Sequence, residues 1–115
     1  MNIKKTLGAK GELAAKTWLI EKKYQIIGSN IRIGHHEIDL LAKKDGLLIF
    51  FEIKTGHYLP DDFPLKKQQL QSLKIARIKY CEIHHISLET TRLDLIILSP
   101  KGKTARLEWL ANISP

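Results

Sequence analysis

The stretch HHEIDLLAKKDGLLIFFEIKT, residues 35 to 55, sets two apolar runs on either side of a turn, with Glu37, Asp39, Glu52 and Lys54 placed among the hydrophobic residues. Asp45-Gly46 is a strong two-residue hairpin signal, because both residues tolerate the positive φ that a type I′ turn requires. If those two form the loop, Lys44 faces Leu47. Stepping outward, Asp39 faces Glu52 and Glu37 faces Lys54. Residues two apart on a strand share a face, so all four polar side chains emerge together, and the other face receives Ile38, Leu40, Ala42, Ile49, Phe51 and Ile53. Leu41 and Phe50 lie on the acidic face, which implies that it is at least partly covered. Opposed Cβ atoms sit roughly 4.5 to 5.5 Å apart, close enough for Asp39 and Glu52 to grip one ion.

Upstream, Ala14, Ala15, Trp18 and Leu19 recur at helical spacing and predict an amphipathic helix over 7–23 with Thr6 as N-cap and Glu12 at the margin of the buried stripe. YQIIGSNIRI, residues 24–33, reads as a strand bent or bulged at Gly28-Ser29-Asn30. Downstream, GHYLPDDFP, 56–64, reads as a surface loop. A second helix is expected from Pro64 to about Cys81, with Leu70, Leu73, Ala76 and Tyr80 inward. TRLDLIILS is a further strand, and PKGK a turn into TARLEWLANI. The order α-β-β-β-α-β-β, with the second helix crossing between two strands, predicts an α/β fold with a mixed sheet flanked by helices, in one domain spanning 1–115.

The 115 residues suffice for one compact domain with a real core. Nineteen Lys and Arg against twelve Asp and Glu give a net charge of +7 and a pI near 9.6, which favours polyanionic partners, nucleic acid before an anionic membrane. The single Cys81 excludes an intrachain disulfide and fits a reducing cytoplasm. The charge-rich N-terminal stretch lacks the apolar run of a signal peptide or membrane span. Adjacent histidines on a strand point to opposite faces, and no cysteine spacing supports them, so His35, His36, His57, His84 and His85 make a poor zinc site.

Two carboxylates on neighbouring strands repel unless a proton or a cation sits between them. Oxygen ligands suit Mg²⁺ or Mn²⁺, and the former typically takes one or two carboxylates, waters and substrate phosphates. Together with a nearby lysine and a basic body, this fits metal-assisted phosphodiester hydrolysis. The plain alternative is a Glu37–Lys54 cross-strand ion pair with Asp39 and Glu52 on a solvated face. For Lys66, Lys67, Lys74, Arg77 and Lys79 on the second helix the alternatives are a solvated face or a phosphate-tracking surface.

GAKGELAAKTWLIEKKYQIIGSNIRI, HEIDLLAKKDGLLIFFEIKT, KQQLQSLKIARIKY and TRLDLIIL, in that order, resemble the YraN family of small bacterial proteins, similar to archaeal Holliday junction resolvases and part of the PD-(D/E)XK, restriction-endonuclease-like superfamily. The resemblance implies that Asp39 and Glu52 hold the metal with the Ile53 carbonyl, that Glu12 closes the site directly or through water, and that Lys54 completes the E-x-K pair. Neighbouring carboxylates should keep Lys54 charged, which suits positioning a water better than general-base work. Glu37 matches the acid of the family's GEID block and, in the register above, would orient Lys54. Lys67 matches the basic residue heading the second helix, and Arg92 and Asp94 match an RFD-like block, read here as a structural pair. Two departures stand out: His36 replaces a glycine, and Gly56 replaces the arginine of KTR, with His57 or Lys66 as compensating phosphate contacts.

The implied activity is a metal-dependent endonuclease acting on DNA, branched structures first, and a homodimer would suit symmetric cutting. The alternative is a weak or inactive nucleic-acid-binding module with the same fold.

Overall fold

The computed structural model describes residues 3–58 and 63–114. Its centre is the expected hairpin. Asp45 (φ 51) and Gly46 (φ 80) both take positive φ, joining β2 (His36–Lys44) to β3 (Leu47–Thr55). The ladder runs from Lys44↔Leu47 to Leu40↔Phe51, in the register the turn dictates. β1 (Gln25–Ile33) lies antiparallel outside β2 with a bulge between Ile26 and Gly28. β4 (Thr91–Lys101) pairs parallel with β3, and β5 (Thr104–Leu110) antiparallel with β4, giving the order β1-β2-β3-β4-β5. The parallel pair needs a crossover, which α2 supplies. The element order is the α-β-β-β-α-β-β read from the sequence, with one 3-10 turn, Leu88–Thr90, added before β4.

The sheet is buried on both faces. Against α1 lie Leu40, Ala42, Ile49, Phe51, Ile53, Ile96 and Leu98, with Ala15 and Leu19 from the helix. Against α2 lie Leu41, Phe50, Leu93, Leu95 and Ile97, with Leu73 and Ala76 from the helix and Leu70 and Tyr80 at its margin. β4 therefore reads as a nearly unbroken apolar run, as strands covered on both sides do.

Three expectations need correction. α1 spans Ile3–Glu21, so Thr6 lies inside the helix and not at its N-cap. α2 spans Lys67–His84 and not Pro64 to Cys81: Lys66 is the N-cap, and Gln69 reaches back to accept from the Lys66 N–H at 3.0 Å. Ile38 packs on the α2 side with Leu41, and not with Leu40. Asn30 on the paired strand is left-handed (φ 51), and the ribbon turns over between Ser29↔Leu40 and Ile31↔Ile38. Of the predicted 56–64 loop, 59–62 lie outside the described residues; the flanking positions are neither helix nor strand.

Candidate functional site

The place where the ribbon turns over is where the acids gather. Beyond Leu40↔Phe51 the β2–β3 ladder stops, and the Asp39 carboxylate takes over by accepting the Ile53 N–H at 2.8 Å. Short acidic side chains compete for backbone donors in this way. Within a strand, one residue's N–H and C=O point to the same neighbour, so the Ile53 carbonyl faces the gap that holds Asp39. Glu52 and Lys54 flank Ile53 and share the α2 face of β3.

Glu52 keeps only 16% of its side chain exposed and Lys54 only 23%, with Nζ 3.8 Å from the Glu52 carboxylate. Burial, then the Asp39 charge, pushes the Glu52 carboxyl up to about 8, against the pull of Lys54. Asp39 is also raised, chiefly by burial; the Ile53 N–H and a hydrogen bond from Glu52 oppose the rise, while the charges of Glu12 and Glu37 add to it. Both shifts favour a proton or a cation shared between the two carboxyls.

The expected Glu37–Lys54 pairing does not form, because the ladder ends before it. Glu37 is exposed, and the ion pair of Lys54 is with Glu52 on its own strand. Glu12, half-buried on α1, is close enough for its charge to reach Asp39. Among the described residues no group of three or more His, Cys, Asp or Glu side chains converges with metal-ligand geometry. An ion here would meet Asp39, Glu52 and the Ile53 carbonyl, a hard all-oxygen set in keeping with one or two carboxylates and several waters around Mg²⁺.

Of the basic candidates, Lys66, Lys67 and His57 are exposed, and Lys74 and Arg77 half-buried. Arg77 donates from Nη1 to the Ser114 carbonyl at 3.4 Å, which ties α2 to the C-terminal segment. Arg92 and Asp94 form a structural pair, as expected. The carboxylate of Asp94, fully buried on the α1 side, accepts from Arg92 Nε (2.8 Å) and Nη2 (2.7 Å), Trp109 Nε1 (2.7 Å) and the Asn112 N–H (2.9 Å).

Two residues that shape the site carried no assignment from the sequence. His36, at the position where a glycine was expected, bonds Ser72 of α2 through Nδ1 at 2.6 Å, pinning the start of β2 to that helix. Gly11 precedes Glu12 on α1, and a Cβ there would lie 2.3 Å from Thr55 Cγ2 and 3.3 Å from Leu98 Cδ1. A glycine inside a strong helical pattern signals such a close approach.

Fold and site together define an α/β protein with a half-buried carboxylate pair where two central strands part. The chain belongs to uncharacterised protein family UPF0102, whose model matches residues 11–98; this is the YraN family. Similar relatives, each described as a UPF0102 protein, come from Prosthecochloris aestuarii (35% identical, 84% of this chain and 78% of the relative), Dictyoglomus turgidum (32%, 94% and 96%) and Bacteroides fragilis (36%, 90% and 88%). Among solved structures, that of Pyrococcus furiosus SfsA in complex with Ca²⁺ aligns with a TM-score of 0.44 at 17% identity, over 90% of this chain and 63% of that one. Among the described residues, no helix is long and apolar enough to cross a membrane.

Proposed function

We propose that this protein is a metal-dependent endonuclease that hydrolyses DNA phosphodiesters, with branched, Holliday-junction-like DNA as its first candidate substrate. The observation that supports this most is the Asp39–Glu52 pair: two half-buried carboxyls side by side, with desolvation and repulsion pushing Glu52 up to about 8. A divalent cation offsets both. Asp39, Glu52 and the Ile53 carbonyl would hold Mg²⁺ or Mn²⁺, with Glu12 closing the site directly or through water. When bound, the ion supplies Lewis acidity at the scissile phosphate and eases deprotonation of the attacking water.

The remaining work falls to the chain's own groups. Lys54, held by Glu52, orients the attacking water and offsets the charge that grows on the phosphate. Lys66, Lys67, Lys74, Arg77 and His57 track the DNA backbone, and the +7 net charge steers DNA toward the site. A homodimer would place two such sites for symmetric cutting, in a reducing cytoplasm that keeps Cys81 a free, buried thiol.

The test is cleavage of labelled four-way junction, flap, linear duplex and single strand with Mg²⁺ or Mn²⁺. Wild type should cut, and Asp39→Asn and Lys54→Ala should each lose about 100-fold or more while still binding DNA. A second reading, a DNA-binding module of the same fold without efficient turnover, is favoured by the lack of a third converging acid among the described residues. Salt-sensitive binding without cutting by any of the proteins would select it.

A further inference from the structure

The other side of β3's end carries a feature that the carboxylate site does not use. Lys54 lies on the α2 face, so Thr55 turns to the α1 face. There it borders a groove of about 380 Å³ between α1 and the β4–β5 hairpin, lined by Lys10, Ala14, Thr55, Leu98, Lys103 and Ala105 among others. That volume lies within the range of small-ligand sites. The floor is aliphatic, and among the described residues the two charged ones that line it are both lysines and no acid does. The hairpin beside it adds exposed Lys101 and Arg106. The one acid on β5, Glu108, is paired with Arg106 at 3.6 Å.

We infer that this groove holds an unpaired nucleotide of the substrate next to the scissile phosphate, its base on the aliphatic floor and its flanking phosphates on Lys10 and Lys103. The proposal rests on the nuclease reading and adds to it the class of substrate: DNA with a single strand leaving a duplex, in preference to uninterrupted duplex. The charge of the rim selects a polyanion, and an apolar floor takes the face of any base without regard to sequence. Thr55 links the groove to Lys54 along β3, the groove lying on the opposite face at the end of the strand.

The test is binding by fluorescence anisotropy in EDTA, comparing a blunt duplex with the same duplex carrying a short unpaired tail. Wild type should bind the tailed DNA about tenfold more tightly. Ala105→Trp, which fills the groove, should remove that preference and leave blunt-duplex affinity unchanged. Lys103→Gln, a change on an exposed turn that leaves the core untouched, should reduce it several-fold. Equal binding of both DNAs by wild type, or a preference that survives both substitutions, overturns the groove while leaving the nuclease reading standing. Failure to bind either DNA at any salt, in Ca²⁺ as well as in EDTA, removes the nuclease reading and the groove with it.

Discussion

Replacing Gly11 by alanine pits helix propensity against packing, and the sign of the result reports how closely α1 rests on the sheet. In an unconstrained helix interior the change stabilises by about 1 kcal/mol. Here the new Cβ would stand 2.3 Å from Thr55 Cγ2, whereas carbon atoms in contact prefer about 3.5 to 4.0 Å. Helix or strand must therefore yield by more than about 1 Å, and Thr55, β-branched and stiff at χ1, cannot swing its methyl aside freely. Overpacking of that kind costs about 1 to 3 kcal/mol. With so short a contact the upper end applies, which leaves a net loss of about 2 kcal/mol and a fall in Tm of about 8 °C. Thr55→Ser removes the offending methyl; in that background Gly11→Ala should be neutral or stabilising by up to about 1 kcal/mol, since the 3.3 Å contact to Leu98 Cδ1 involves the end of a flexible side chain. The assay is urea unfolding of wild type, both single variants and the double variant, read as a coupling energy. A rise in stability for Gly11→Ala alone, or simple additivity of the two substitutions, would refute the close approach.

Other perturbations test the remaining parts of the site. With its folded-state pKa raised to about 8 from 4.5, Glu52 keeps a proton that the unfolded chain releases, so its contribution is fully present below about pH 4.5 and lost as pH rises through 8; metal-free protein should lose stability on the order of a few kcal/mol across that window. Urea midpoints at pH 5, 7 and 9 in EDTA check this, and a flat profile refutes it; Asp39→Asn should make the profile shallower without flattening it, because burial, the larger cause, remains. Mg²⁺ should raise Tm at pH 8 in wild type, by mass action on the folded state, and not in Asp39→Asn. Asp94→Ala strands Arg92 and leaves Trp109 Nε1 without its acceptor, and should cost about 3 to 5 kcal/mol by thermal unfolding. Ser72→Ala should cost about 1 kcal/mol through the lost His36 bond; no change in Tm would mean that this bond does not hold β2 to α2.

The sequence revealed the site by local chemistry and concealed it where distant groups intervene. Asp45-Gly46 fixed the turn and the turn fixed the register as far as Leu40↔Phe51; one step beyond, Asp39 and Glu52 are still neighbours although they no longer pair on the ladder. The same logic failed at Ile38 and at Glu37–Lys54, because alternation assumes an unbroken ladder. The ladder breaks where Asn30 adopts a left-handed backbone and Asp39 takes the Ile53 N–H, and neither event changes the hydrophobic pattern. Arg92 and Asp94 were readable as neighbours on one strand face; Trp109 and Asn112, which complete that cluster, come from beyond the next turn and carry no local signal. Gly11 was legible in principle, because a glycine costs helix stability at a position where alanine would serve. Its neighbour Glu12 gives that cost a consequence: the close approach that only glycine permits brings an acid on α1 within electrostatic reach of Asp39. A variant that pushes α1 away should therefore weaken the proposed binding of Mg²⁺ as well as the fold, and the Thr55→Ser background that restores the one should restore the other.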